Sequence, residues 1–112
     1  MMTTDNINSI YGELKRMGSC NSRSDFSACW LGREESYFRS IQAKGLEPSV
    51  QAHAHLAAHL KKMGVYLCNS EFPTLAAKGK AYLALFDGCL EALLNRALSQ
   101  AAVSRDRFQQ LQ

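Results

Sequence analysis

The fold is decided by residues 21–60, which read NSRSDFSACWLGREESYFRSIQAKGLEPSVQAHAHLAAHL. Apolar side chains recur at helical spacing on both sides of Gly32, which can adopt a positive φ without a steric penalty. Pro48 then opens another helix, where its fixed φ suits the first turn. The residues predicted to face inward are Phe26, Cys29, Trp30, Phe38, Ile41, Leu56 and Leu60. The stretch therefore predicts two short helices joined by a tight turn, with a third helix packed behind them.

The rest of the chain is predicted to be helical as well. We expect helices over residues 4–17, 23–30, 34–43 and 47–63. A long helix should follow Pro73, and a short frayed one should occupy residues 103–112. Gly64 is predicted to end the fourth helix, and residues 65–67 to form an extended connection. These bounds predict a domain over residues 1–64, a linker over 65–72 and a C-terminal helical region over 73–112.

Composition favours an all-α fold, because Ala and Leu are abundant and alternating β-branched strands are nearly absent. The net charge of +3 is mild, so it permits DNA binding without the strongly basic profile of a dedicated nucleic-acid binder. The four cysteines form no CxxC pair, which argues against a zinc knuckle. With no signal peptide and no apolar run of membrane-spanning length, the sequence indicates a reduced, cytoplasmic protein without membrane contact.

Residues 23–60 resemble the lambda-repressor-like, Cro-type helix-turn-helix family. The matching segments are Asp25-Phe26-Ser27, Leu31-Gly32, Ser36-Tyr37-Phe38-Arg39-Ser40-Ile41, Pro48-Ser49 and Leu56-Ala57-Ala58-His59-Leu60. The spacing from Phe26 to Gly32 is one residue longer than the family pattern, so either the turn is longer or Leu31 takes the glycine position. The chain also resembles a group of small uncharacterised bacterial proteins with a WLGR…SYF segment, which supplies no activity.

The helix-turn-helix resemblance implies an all-α fold, with a four-helix lambda-repressor-like bundle followed by a long C-terminal helix. It also implies contact with double-stranded DNA. Arg39 is the expected reader of a base, because its guanidinium fork matches guanine O6 and N7. The complete set of implied DNA-binding residues is Arg23, Arg33, Glu35, Ser36, Arg39, Ser40 and Lys44. The negative charges of Glu34 and Glu35 would repel the DNA phosphates, although a carboxylate can accept a hydrogen bond from cytosine N4.

The helix after Pro73 is apolar on more than one side, which is typical of a helix with two partners. One side can cover the N-terminal helices, and the other can pack against a second copy of the chain. The alternative is a fully buried central helix in a monomer. The predicted dimerisation residues are Tyr82, Phe86, Leu90, Leu93, Leu94 and Ala97.

No arrangement of residues indicates catalysis, since GxGxxG, Walker and GxSxG motifs are absent. We therefore expect no enzyme, cofactor or small-molecule substrate. His55 and His59 are four residues apart and could share a metal, but the triplet with His53 is better interpreted as a polar helix face. Two functions follow. One is a sequence-specific, DNA-binding transcriptional regulator acting as a homodimer; the other is a helical protein-interaction module that keeps the helix-turn-helix shape without binding DNA.

Overall fold

The computed structural model describes residues 3–110 of the protein, and the side chains of residues 6–99. The helices are α1 (Thr3–Arg16), α2 (Arg23–Asp25), α3 (Tyr37–Lys44), α4 (Val50–Cys68) and α5 (Pro73–Gln110), and a π-helical turn, Phe26–Trp30, continues directly from α2. Residues 3–110 contain no strand. The prediction of an all-α fold with a long C-terminal helix is confirmed.

Three aromatic rings form the centre of the N-terminal half. Tyr11 on α1 lies 5.3 Å from Phe26 on the π turn and 5.2 Å from Phe38 on α3, centroid to centroid. Phe26 and Phe38 pack edge to face at 4.8 Å, an arrangement that aromatic quadrupoles favour. Because these rings come from three elements, α1, the π turn and α3 are fixed against one another through one core.

Helices α4 and α5 form an antiparallel pair that approaches closely at two glycines. A Cβ built at Gly79 would stand 2.6 Å from the amide nitrogen of Cys68 and 2.8 Å from the carbonyl oxygen of Gly64. Gly64 therefore lies inside α4, which continues to Cys68. The prediction that Gly64 ends the helix was wrong, as was the extended connection over residues 65–67, because this glycine serves close helix packing.

Two further details of the second helix and the turn differ from expectation. Cys29 was predicted to face the core, but the π turn leaves it exposed, with its thiol donating to Asp25 Oδ1 at 3.4 Å. That hydrogen bond raises the pKa of the Cys29 thiol. Helix α3 begins at Tyr37, three residues later than predicted. The backbone N–H of Arg33 instead donates to the carbonyl of Ser27 at 2.9 Å, so the turn bonds back to the π-helical segment.

One buried cluster joins the two predicted domains. It includes Ile7 and Leu14 of α1, Leu56 of α4, and Tyr82 and Cys89 of α5. Residues 65–68 of the predicted linker are the last turn of α4, so only residues 69–72 connect the two long helices. None of the helices within the described part of the chain is long and apolar enough to cross a membrane.

Helix α5 is twice as long as its partner α4, with 38 residues against 19. Arg96 Nε lies 3.9 Å from Glu47 Oε2, just before α4 begins. At a rise of 1.5 Å per residue, the remaining 14 residues, 97–110, carry α5 about 20 Å past this point. The long axis of the molecule, 59 Å against 30 and 21 Å for the others, reflects this extension.

Candidate nucleic-acid interface

Helix α3 presents one continuous exposed face. The residues on it, named here the α3 face, are Ser36, Arg39, Ser40, Ala43 and Lys44. Their spacing of three, four, seven and eight residues from Ser36 is that of one side of an α-helix. Phe38 and Ile41 are buried on the other side. The structure therefore brings together four of the seven residues predicted to contact DNA.

The two cations of this face are available for a partner. Arg39 and Lys44 are both exposed, and within the described residues neither forms a hydrogen bond or an ion pair. Ser36 precedes the helix, but its hydroxyl caps no backbone N–H. The α3 face can thus donate from a guanidinium, an ammonium and two hydroxyl groups without breaking an internal contact.

Ser27, fully buried on the π turn, holds α3 in place. Its hydroxyl donates to the carbonyl of Arg23 and accepts from the backbone N–H of Phe38, both at 2.9 Å. The second bond satisfies one of the unpaired N–H groups in the first turn of α3. Sequence analysis missed this positioning residue, because a serine at an apolar position carries no periodic signal.

Arg23 lies at one edge of α3. Its Nη1 donates to Gln42 Oε1 at 3.0 Å, and Gln42 Nε2 donates to Asn8 Oδ1 at 3.0 Å. These hydrogen bonds connect the start of α2, the second half of α3 and α1 at the protein surface. Arg23 remains exposed, as the DNA contact implied for it requires. Gln42 was not among the predicted site residues.

Arg33 lies away from the α3 face, which corrects its predicted position. Its Nη2 donates to Ser49 Oγ at 2.9 Å and to Gln51 Oε1 at 3.2 Å. The guanidinium carbon is also 5.7 Å from the ring centroid of Tyr37, within cation–π range. Since Ser49 caps α4, Arg33 ties the turn to the start of that helix. Glu34 and Glu35, also in the turn, are exposed.

The three histidines have different environments. His55 Nδ1 donates to the carbonyl of Trp30 at 3.0 Å, and a Cβ at Gly32 would stand 2.8 Å from the His55 ring. His59 packs edge-on against Trp30 at 4.5 Å. Burial, followed by the charges of His55 and Lys62, lowers the pKa of His59. His55 therefore anchors the turn to α4, and within the described residues no group of three possible ligands surrounds a metal position.

His53 departs from the predicted polar face. It is 0% exposed, and both ring nitrogens lack a hydrogen-bond partner among the described residues. Burial, with a smaller contribution from the charge of Arg96, lowers its pKa to about 4. His53 is therefore a neutral core residue at neutral pH.

The predicted dimerisation residues divide into a buried and an exposed group. Tyr82 is only 3% exposed, lies 5.7 Å from the Trp30 ring and shares a hydrogen bond with the Ser19 hydroxyl. It therefore belongs to the core of a single chain, which corrects its predicted role. Phe86, Leu90 and Leu93 are half-buried. Leu94 and Ala97 are exposed, and together with the exposed Leu98, which was not among the predicted residues, they are named here the α5 stripe.

Comparison with known proteins yields one family match. A family model described as a family of unknown function (DUF6626) matches residues 7–106, which is 100 of the 112 residues. No curated protein and no solved structure matches the chain. The match therefore supplies no activity.

Proposed function

The chain belongs to this family of unknown function, DUF6626, and we propose that it is a sequence-specific DNA-binding transcriptional regulator acting as a homodimer. The observation that supports this proposal is the α3 face, an exposed polar side of a short helix fixed from behind by Phe38, Ile41 and the Ser27 hydroxyl. A helix that reads DNA needs these two properties together, because its side chains must reach base edges while its backbone keeps one orientation.

In the proposed complex, α3 enters the major groove. An α-helix with its side chains is about 10–12 Å in diameter, and the groove is about 12 Å wide. Arg39 pairs with guanine O6 and N7 through its guanidinium fork. Ser36 faces the groove, and Lys44 and Ser40 bind backbone oxygens, which fixes the register without reading sequence.

The second copy in this proposal pairs along α5. Leu94 is 53% exposed and Leu98 66% exposed, and both lie where α5 reaches the end of its packing against α4. Ala97 between them is small, so two helices can approach closely at this point. A two-fold pair would present two α3 faces to half-sites about one helical turn apart, roughly 34 Å.

The test is duplex binding measured against salt. Duplexes are first selected from a randomised pool on the wild-type chain, and their affinities are then measured by fluorescence anisotropy across a potassium chloride series. We expect affinity to fall as salt rises. Arg39→Glu should weaken binding at least about tenfold, because one bidentate base contact is worth about 1–3 kcal/mol.

The matched control is Lys80→Glu. It makes the same change in net charge at an exposed position of α5, outside the α3 face. The control should retain most of the affinity. Equal losses in the two variants would indicate non-specific attraction, and failure to select any duplex would refute the proposal.

The alternative is a protein-interaction module without DNA binding. Glu34 and Glu35 favour it, since they stand exposed just before α3 and oppose phosphate contacts. In that case the duplex selection fails, and a nuclease-treated lysate yields a stoichiometric protein partner that Arg39→Glu no longer captures.

A further inference from the structure

The positive charge of the protein is concentrated at one end of the α4–α5 pair. Residues 61–80 contain four lysines, Lys61, Lys62, Lys78 and Lys80, and one acid, Glu71, for a net charge of +3. The whole chain also carries +3, from thirteen basic and ten acidic residues. The other 92 residues therefore carry no net charge, with nine basic and nine acidic residues.

The same end exposes large apolar side chains. Tyr66 is 75% exposed and Phe72 is 67% exposed, and Val65 and Leu75 are exposed by 43% and 41%. We call these four residues the hairpin tip, since they flank the connection between α4 and α5. Scattered single apolar residues are ordinary on a surface, but four within eleven positions form a patch of the kind that marks interaction sites.

A groove runs across the hairpin tip. Its volume is about 420 Å³, and it is lined by Tyr66, Leu67, Asn69, Ser70, Phe72 and Leu75. Ser70 Oγ accepts from the Phe72 N–H at 3.1 Å, which ties the connection locally where it enters α5. The groove is therefore a concave apolar site between two exposed aromatic rings.

None of the four lysines lines this groove, and two of them lie one helical turn from it. Lys62 precedes Tyr66 by four residues on α4, and Lys78 follows Leu75 by three on α5, so each shares a helix side with a tip residue. Lys78 Nζ lies 5.9 Å from the ring of Tyr82. Within the described residues none of the four ammonium groups forms an ion pair. Their charge is available to a partner.

We propose that the hairpin tip binds an acidic peptide segment, which inserts one aromatic or large aliphatic side chain into the groove. An apolar anchor in a pocket provides most of the affinity of such contacts, and complementary charge at the rim gives specificity. The aliphatic side chains of Leu67 and Leu75 suit a peptide anchor better than a stacked nucleobase. A concave site also suits a side chain better than the surface of a bilayer.

This surface is separate from the proposed DNA interface, because it contains no residue of the α3 face. The test is selection from a random peptide library displayed on phage, using the full-length chain as bait. Counter-selection uses the double variant Tyr66→Ser/Phe72→Ser, in which both substitutions are at exposed positions. Circular dichroism and thermal unfolding establish that the variant is folded.

We expect the enriched peptides to be rich in Asp and Glu around one Phe, Trp, Tyr or Leu. The synthesised peptides should bind the wild type at least about tenfold more tightly than Tyr66→Ser/Phe72→Ser. Lys62→Glu/Lys78→Glu and added potassium chloride should also weaken the binding of these peptides. Arg39→Glu should leave their affinity unchanged, so this result and that of the DNA test are independent.

Several results would overturn the proposal. One is the absence of peptides enriched on the wild type over the counter-selection variant, and another is enrichment without acidic residues. A third is unchanged affinity in Lys62→Glu/Lys78→Glu. Tighter binding of the tip to vesicles of anionic phospholipid, or to a single-stranded DNA oligonucleotide, would assign the surface to a membrane or a nucleic acid instead.

Discussion

Replacing Gly79 by Ala should separate the two long helices. The added Cβ would stand 2.6 Å from the Cys68 amide nitrogen, 2.8 Å from the Gly64 carbonyl oxygen and 2.9 Å from the Leu67 carbonyl carbon. All three neighbours are backbone atoms of α4, so no side-chain rotation can relieve the overlap. The matched control is Gly88→Ala on the same helix, where the nearest atom, Asn6 Nδ2, is 3.8 Å from the new Cβ.

The two substitutions should change stability in opposite directions. Both gain about 1 kcal/mol from the higher helix propensity of alanine. Overpacking costs about 1–3 kcal/mol and more where the backbone must move, so we expect Gly79→Ala to lose about 2 kcal/mol net. The difference between the variants is then about 3 kcal/mol, which for a domain of this size is roughly 12 °C in Tm.

Urea and thermal unfolding, followed by far-ultraviolet circular dichroism, measure this difference directly. The test depends on the sign of the difference in unfolding free energy more than on its size, because both variants replace glycine by alanine in α5. If Gly79→Ala were as stable as Gly88→Ala, the close backbone contact between α4 and α5 would be refuted. The explanation of why α4 continues through Gly64 would then fail with it.

Two further predictions concern the core and the projecting helix. The pKa of His53 in the folded chain is about 4, below its ordinary value, so the unfolded chain binds the proton first as pH falls. The free energy of unfolding of the wild type, measured with urea, should therefore drop by about 2 kcal/mol between pH 8 and pH 5 relative to that of His53→Leu. Parallel pH profiles of the two proteins would contradict this. Leu94→Glu/Leu98→Glu should convert a dimer into a folded monomer in sedimentation equilibrium, and a monomeric wild type would contradict pairing along α5.

Helical spacing predicted much of the fold because the core is built from local repeats. Phe26, Phe38 and Leu56 are buried as their spacing indicated, and Gly32 adopts a positive φ at the predicted turn. The spacing also placed Phe38 and Ile41 inward, and Ser36, Arg39, Ser40 and Lys44 lie on the opposite, exposed side of α3. These features depend on residues within one or two helical turns of each other, so they can be predicted from one sequence.

The errors arose where a distant segment determines a residue's role. The sequence around Gly64 is compatible both with the end of a helix and with close packing against a second helix. Only the position of α5 decides between these two roles. The partners of Arg33 are 16 and 18 residues further along the chain, so spacing could not separate it from Arg39. His53 is the same residue type as His55 and His59, so the sequence does not distinguish them. Its burial follows from the packing of α5.

The π turn has a consequence for chain length. Its defining bond runs from the N–H of Leu31 to the carbonyl of Phe26, five residues back instead of four. The turn therefore holds one residue more than an α-helical turn would. A chain one residue shorter between Phe26 and Trp30 would form a regular α-helical turn in place of the π turn.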